Sequence, residues 1–145
     1  MKIHLATDHA GLALKEAIEQ WLIDNDYTIV DHGAFELNPE DDYTDFVQPA
    51  ARAIAENPKD KAIIFGGSGQ GEAMAANRFS GVRAAVWYGG SSDIITLSRE
   101  HNDANILSLG ARFLTNEEAT TAVKTWLSTE FSGEERHVRR ITKLN

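Results

Sequence analysis

Short apolar runs alternate with amphipathic stretches along the whole chain. Ile3 to Thr7 reads as a first strand, after which Leu12, Leu14, Ala17, Ile18, Trp21 and Leu22 recur at near-helical spacing up to Asn25. Tyr27 to Asp31 reads as a second strand, closed by His32-Gly33, and a loop rich in Asn, Pro and Asp runs to about Tyr43. A helix from Asp45 to Glu56 ends at Asn57-Pro58, and Lys61 to Phe65 is a third strand that empties into glycines. Val82 to Trp87 and Asn105 to Leu109 read as further strands. Helices start after Gly90-Ser91-Ser92-Asp93 and at Asn116-Glu117-Glu118. Five strand–helix units in alternation predict a doubly wound α/β fold. Its five-stranded parallel sheet carries helices on both faces, as in Rossmann-like and flavodoxin-like domains.

In such a sheet, ligands sit off the carboxyl ends of the strands. Asp8-His9-Ala10-Gly11, the loop Gly66-Gly67-Ser68-Gly69-Gln70-Gly71-Glu72 and Trp87-Tyr88 all fall there. The glycines let the loop reach positive φ and let a ligand approach the main chain. An acid, Glu72, stands where a nucleotide-binding loop would carry Lys, and no Gly-Lys-Ser/Thr follows, so this is not a P-loop. A carboxylate beside oriented N–H donors suits proton transfer with an oxyanion hole. A tight turn with Glu complementing the helix dipole would look the same. Asp8 is equally open, as a holder of substrate hydroxyls or as a helix N-cap. His9 is placed to donate to an anion.

Length and charge narrow the choice. At 145 residues the chain is read as one domain, 1–145, with no linker or repeat. No apolar run approaches the roughly 18 residues of a membrane span, and the N-terminus turns polar too soon for a signal peptide. Without cysteine there is neither a disulfide framework nor thiolate chemistry, and a cytoplasmic location is expected. A net charge of -8 argues against nucleic acid and makes Arg136-His137-Val138-Arg139-Arg140 informative. Arg136 and Arg140 would share a helix face, either as a bidentate phosphate fork or as a solvated basic face, and Arg112 after Gly110 is similar. No His/Asp/Glu set has a recognisable ligand spacing, so neither metal nor cofactor is inferred. His4 and His32 read as structural and His137 is ambiguous. The polar run His101-Asn102-Asp103-Ala104-Asn105 precedes a strand, on the face opposite the glycine loop, and would join a site only if another subunit supplied it.

Together these segments resemble the type B ribose-5-phosphate isomerase family, which includes galactose-6-phosphate isomerase subunits. The resemblance rests on Asp8-His9-Ala10-Gly11, Asp42-Tyr43-Thr44-Asp45-Phe46, the glycine loop with Ala75-Ala76-Asn77-Arg78 and Gly81-Val82-Arg83-Ala84-Ala85, His101 to Asn105, and Arg136-His137 with Arg140. Many members begin the glycine loop with a cysteine that acts as base. Here Gly66 holds that position and Ser68 replaces a threonine, so the chain resembles the branch that uses a glutamate, Glu72. Glu134-Glu135 also departs from the glycines common before the arginine.

The resemblance implies an aldose–ketose isomerase acting on ribose 5-phosphate through a cis-enediolate. Glu72 would be the base and the amides from Gly67 to Gly71, around Ser68 and Gly69, the oxyanion hole. It further implies that His101 opens the sugar ring, Asn102 holds the enediolate, and Asp8 and Tyr43 position hydroxyls. His9, Arg112, Arg136 and Arg140 would bind the phosphate. Family members are dimers or tetramers whose sites straddle an interface. Tetrose or hexose phosphates remain alternative substrates, and a non-catalytic phosphosugar-binding subunit is an alternative role. A response-regulator receiver is excluded, because His9 and glycines stand where its acidic residues belong.

Overall fold

Side chains of successive residues leave a strand on opposite faces, and the central strands use both. A computed structural model describes residues 1–144. In it, β1 (Lys2–Thr7), β2 (Thr28–Asp31), β3 (Lys61–Gly66), β4 (Ala84–Trp87) and β5 (Ile106–Gly110) form one parallel sheet in the order β2-β1-β3-β5-β4. Ile3, Leu5, Ile63, Phe65, Leu107 and Leu109 point to one face. There they pack against α1 (Leu12–Asp24), α4 (Asp93–Glu100) and α5 (Asn116–Ser128). Ala6, Ala62, Ile64 and Ile106 point to the other, against α2 (Tyr43–Glu56) and α3 (Gln70–Ala76). That second face is built largely from small residues, with Ala50, Ala51 and Ala76 on the helices, so α2 and α3 can lie close to the sheet. A last helix, α6 (Glu135–Thr142), is amphipathic and buries His137.

The predicted elements appear with small shifts. Helix α2 begins at Tyr43 rather than Asp45, with Asp42 at its N-cap. Strand β4 begins at Ala84 rather than Val82. The Val82 amide closes a turn onto the Phe79 carbonyl, and the Arg83 amide donates to Asn105 Oδ1. Helix α5 is opened by a reciprocal cap, Thr115 Oγ1 accepting from the Glu118 amide and Glu118 Oε1 from the Thr115 amide. No described helix is long and apolar enough to cross a membrane.

The sheet order creates the crevice. After β1 the chain turns outward to β2, and after β3 it turns the other way, towards β5 and β4. The helices that follow β1 and β3 therefore lie on opposite faces, and the loops leaving these two neighbours diverge. This is a topological switch point, the place where open α/β sheets bind ligands.

Candidate active site at the carboxyl ends of β1, β3 and β5

The register sets Thr7 beside Phe65, and Gly66 beside Gly110. The segments that follow these residues are consequently neighbours. Asp8 is buried and its carboxylate accepts from the Ala10 amide at 3.0 Å, capping a 3-10 turn over His9–Gly11. The N-cap role is thus realised, with one Asp8 oxygen engaged in it. Gly11 is required because a Cβ there would strike Thr7 Oγ1 and the Phe65 side chain.

The glycine loop is pinned from beneath. Gly69 adopts φ +77°, and its carbonyl accepts from the buried Ser108 hydroxyl at 2.7 Å. Ser68 Oγ accepts from the Gln70 amide, and the Gly67 carbonyl accepts from the Arg112 amide at 3.1 Å. The Tyr43 hydroxyl lies against Gly71 so closely that a Cβ there would overlap it, and the Arg112 guanidinium lies against Gly67, where a Cβ would be in tight contact with it. Asp8, Tyr43, Glu72 and Arg112 therefore converge on one loop.

Glu72 stands in the first turn of α3 and is only 4% exposed. Its carboxylate fills the space a side chain at Gly66 would take, so a Cβ at Gly66 would overlap it. Burial pushes the carboxyl group above its ordinary pKa. Its own backbone amide pulls the other way, and the nearby Asp8 charge adds to the rise. A buried carboxylate with raised proton affinity, held at a switch point among backbone amides, has the properties of a general base.

His9 is held by Asp41, whose Oδ1 accepts from His9 Nδ1 at 2.7 Å and from the His9 amide at 3.1 Å. That hydrogen bond raises the His9 pKa against the effect of burial, Asp8 assists, and Arg112 opposes. Asp8, His9 and Asp41 bring ligand-type atoms within 4.8 Å of one another, a grouping that sequence spacing did not signal. Asp8 and His9 already use such atoms in the hydrogen bonds above.

The remaining expected residues lie at the other end of the sheet. His101 closes α4 and Asn102 follows it, both preceding the amino end of β5. The His101 ring stacks on His137 of α6 with centroids 4.2 Å apart. Burial and the adjacent His101, Arg136 and Arg140 hold His137 below the ordinary histidine pKa, which favours the neutral ring beneath His101. Arg136 and Arg140 project from the same exposed helix, where Arg136 Nε reaches Glu134 at 3.1 Å. One chain does not bring His101, Asn102, Arg136 and Arg140 to Glu72.

A family model described as Ribose/Galactose Isomerase matches residues 3–144. The chain belongs to this family. Ribose-5-phosphate isomerase B of Mycobacterium tuberculosis (strain H37Rv) is 38% identical over 144 residues, covering 99% of this chain and 88% of that protein. The crystal structure of ribose-5-phosphate isomerase B from Mycoplasma genitalium with bound ribulose-5-phosphate superposes with a TM-score of 0.93. It is 38% identical, and the match covers 99% of this chain and 93% of that one. The isomerase B structure from Clostridium thermocellum gives the same TM-score at 41% identity, covering 99% and 95%.

Asp41, Ser108 and the buried ring of His137 carry no mark in the sequence of this Ribose/Galactose Isomerase family member. Asp41 sat in a loop dense with acids, and Ser108 in a strand where alternation reads only as burial. His137 lay in a basic cluster with nothing to mark its ring as buried.

Proposed function

We propose that this protein interconverts ribose 5-phosphate and ribulose 5-phosphate, with Glu72 as the base. The observation that carries the reading is the Glu72 carboxylate, buried at the switch point with raised proton affinity. Glu72 takes the proton from the carbon beside the aldehyde of the open-chain sugar. The electron pair left behind moves toward the carbonyl oxygen as a cis-enediolate. The proton then returns from Glu72 to the former aldehyde carbon, and a proton passes between the two oxygens to give the ketose. Amides of the loop Gly67 to Gly71, around Ser68 and Gly69, stabilise the enediolate, one such donor being worth roughly 3–4 kcal/mol. Asp8 and Tyr43, beside the loop, position hydroxyls, while His9 and Arg112 take the phosphate.

Ring opening falls to His101 and enediolate support to Asn102, both supplied by a second copy along with Arg136 and Arg140. Two copies related by a symmetry axis would place the amino-end group of one beside the carboxyl-end group of the other. The active unit is therefore a homodimer, or a tetramer built from it. The mechanism uses the chain's own acids and amides and assigns no cofactor. An isomerase assay against four-, five- and six-carbon aldose phosphates tests the reading. Turnover of ribose 5-phosphate that is lost in Glu72→Gln supports it. Preference for a hexose 6-phosphate would shift the substrate, and binding without turnover of any would make the chain a phosphosugar-binding subunit.

A further inference from the structure

Asp41 lies in the loop between β2 and α2, 32 residues from His9 along the chain. Its Oδ1 accepts two hydrogen bonds, both from His9. Its Oδ2 is buried with no hydrogen-bond partner among the described residues. A carboxylate kept only to hold a loop would have both oxygens satisfied, because an unpaired buried polar atom is costly. Asp41 instead leaves one oxygen orphaned and commits the other to the backbone and ring of a single neighbour. That neighbour has a cation close by, since Arg112 lies near enough to act on His9 electrostatically.

We propose that Asp41 is a positioning residue for phosphate recognition. It locks the His9 ring with Nδ1 against the carboxylate, so that Nε2–H on the far edge is presented, beside Arg112, to the phosphate of the substrate. The proposal rests on the sugar-phosphate reading of this site. The charged groups facing His9 are Asp41 and Asp8, which favour its protonated form, and Arg112, which opposes it. Removing the Asp41 charge leaves burial and Arg112 against a single remaining anion. The imidazolium then loses its proton at lower pH and with it the charge that a phosphate dianion needs. Asp41→Asn keeps the volume and an acceptor for the His9 amide while removing that charge.

The test uses the whole protein with isotope-labelled histidine and inorganic phosphate as the probe. In Asp41→Asn, the His9 titration midpoint moves to lower pH. Phosphate binding weakens by about tenfold between the variant and wild-type His9 midpoints, the scale of one charge-assisted hydrogen bond, and by less at pH values below both. KM for ribose 5-phosphate rises by a larger factor than kcat falls. In a His9→Gln background the same substitution adds nothing further. Asp41→Glu keeps the charge, so its His9 stays protonated to higher pH than in Asp41→Asn. It also gives a second folded variant should the first be unstable. An unchanged His9 midpoint with unchanged phosphate affinity overturns the proposal, as does an equal loss of affinity in the His9→Gln background. If the protein turns over no ribose 5-phosphate, the functional reading fails, yet the His9 titration and phosphate binding still decide the role of Asp41.

Discussion

The Glu72 carboxylate occupies the volume that a side chain at Gly66 would fill. The two residues are six apart in sequence, one ending β3 and the other opening α3, and the loop between them folds the acid back over the strand end. In the resemblance drawn from the sequence, Gly66 stands where many relatives carry a cysteine base. The Glu72 carboxylate, carried by the helix, thus reaches the place that a side chain from the strand end would occupy.

Gly66→Ala should therefore separate stability from activity. The atoms in the way belong to the free end of a flexible side chain, so the protein should fold, with a midpoint close to wild type. The carboxylate must move, however, and kcat should fall by about 10²–10⁴-fold, the usual contribution of a general base. Thermal unfolding and steady-state kinetics on one preparation check both halves. Retained activity would mean that Glu72 acts from another position or is not the base.

The raised proton affinity of Glu72 has consequences for pH. With Glu72 as the proposed base, activity requires its ionised form, so kcat should fall as pH drops through a value raised above that of an ordinary glutamate. Asp8→Asn, which removes a nearby like charge, should shift that limb to lower pH. Stability runs the opposite way. A carboxyl group with raised native pKa contributes fully below its unfolded value, and the contribution is lost as pH rises through the native value. Glu72→Gln should accordingly be more stable than wild type at pH 8, by a margin that shrinks as the solution is acidified. Equal unfolding midpoints at all pH values would show that Glu72 is not desolvated.

Gly69 faces two constraints at once. Its φ of +77° disfavours any L side chain, and a Cβ would come within 3.0 Å of Ser108 Oγ. Gly69→Ala should cost about 1–3 kcal/mol, the range for a residue held in a sparsely populated backbone region. Ser108→Ala should cost about 1 kcal/mol, a typical net hydrogen bond, because the Gly69 carbonyl still accepts from the Ala73 amide. Denaturant unfolding distinguishes the two. A tolerated Gly69→Ala would place the loop in a different conformation.

The separation of Glu72 from His101 by the length of the sheet leads to a complementation experiment. Inactive Glu72→Gln and His101→Asn proteins, mixed so that subunits exchange, should form dimers in which one site carries both lesions and the other neither. With random reassortment about half the dimers are mixed, so roughly a quarter of wild-type activity should return. Exchange shown by mass without recovered activity would assign both residues to one subunit.

The periodicity of the chain by itself determined the strand–helix alternation, the parallel sheet and the strand-end placement of Asp8 and the glycine loop. These follow from patterns within a few residues, since side-chain direction repeats every two positions in a strand and every 3.6 in a helix. The motifs also marked Glu72, His101 and Arg136 as chemically notable. Only the tertiary structure decided that β5 enters the sheet between β3 and β4, which brings Ser108 and Arg112 to the loop. It alone decided that Asp41 closes on His9 and that His101 rests on His137. Partners 32 and 36 residues apart along the chain leave no periodic trace. Their meeting depends on how the sheet orders its strands and on which loops that order makes neighbours.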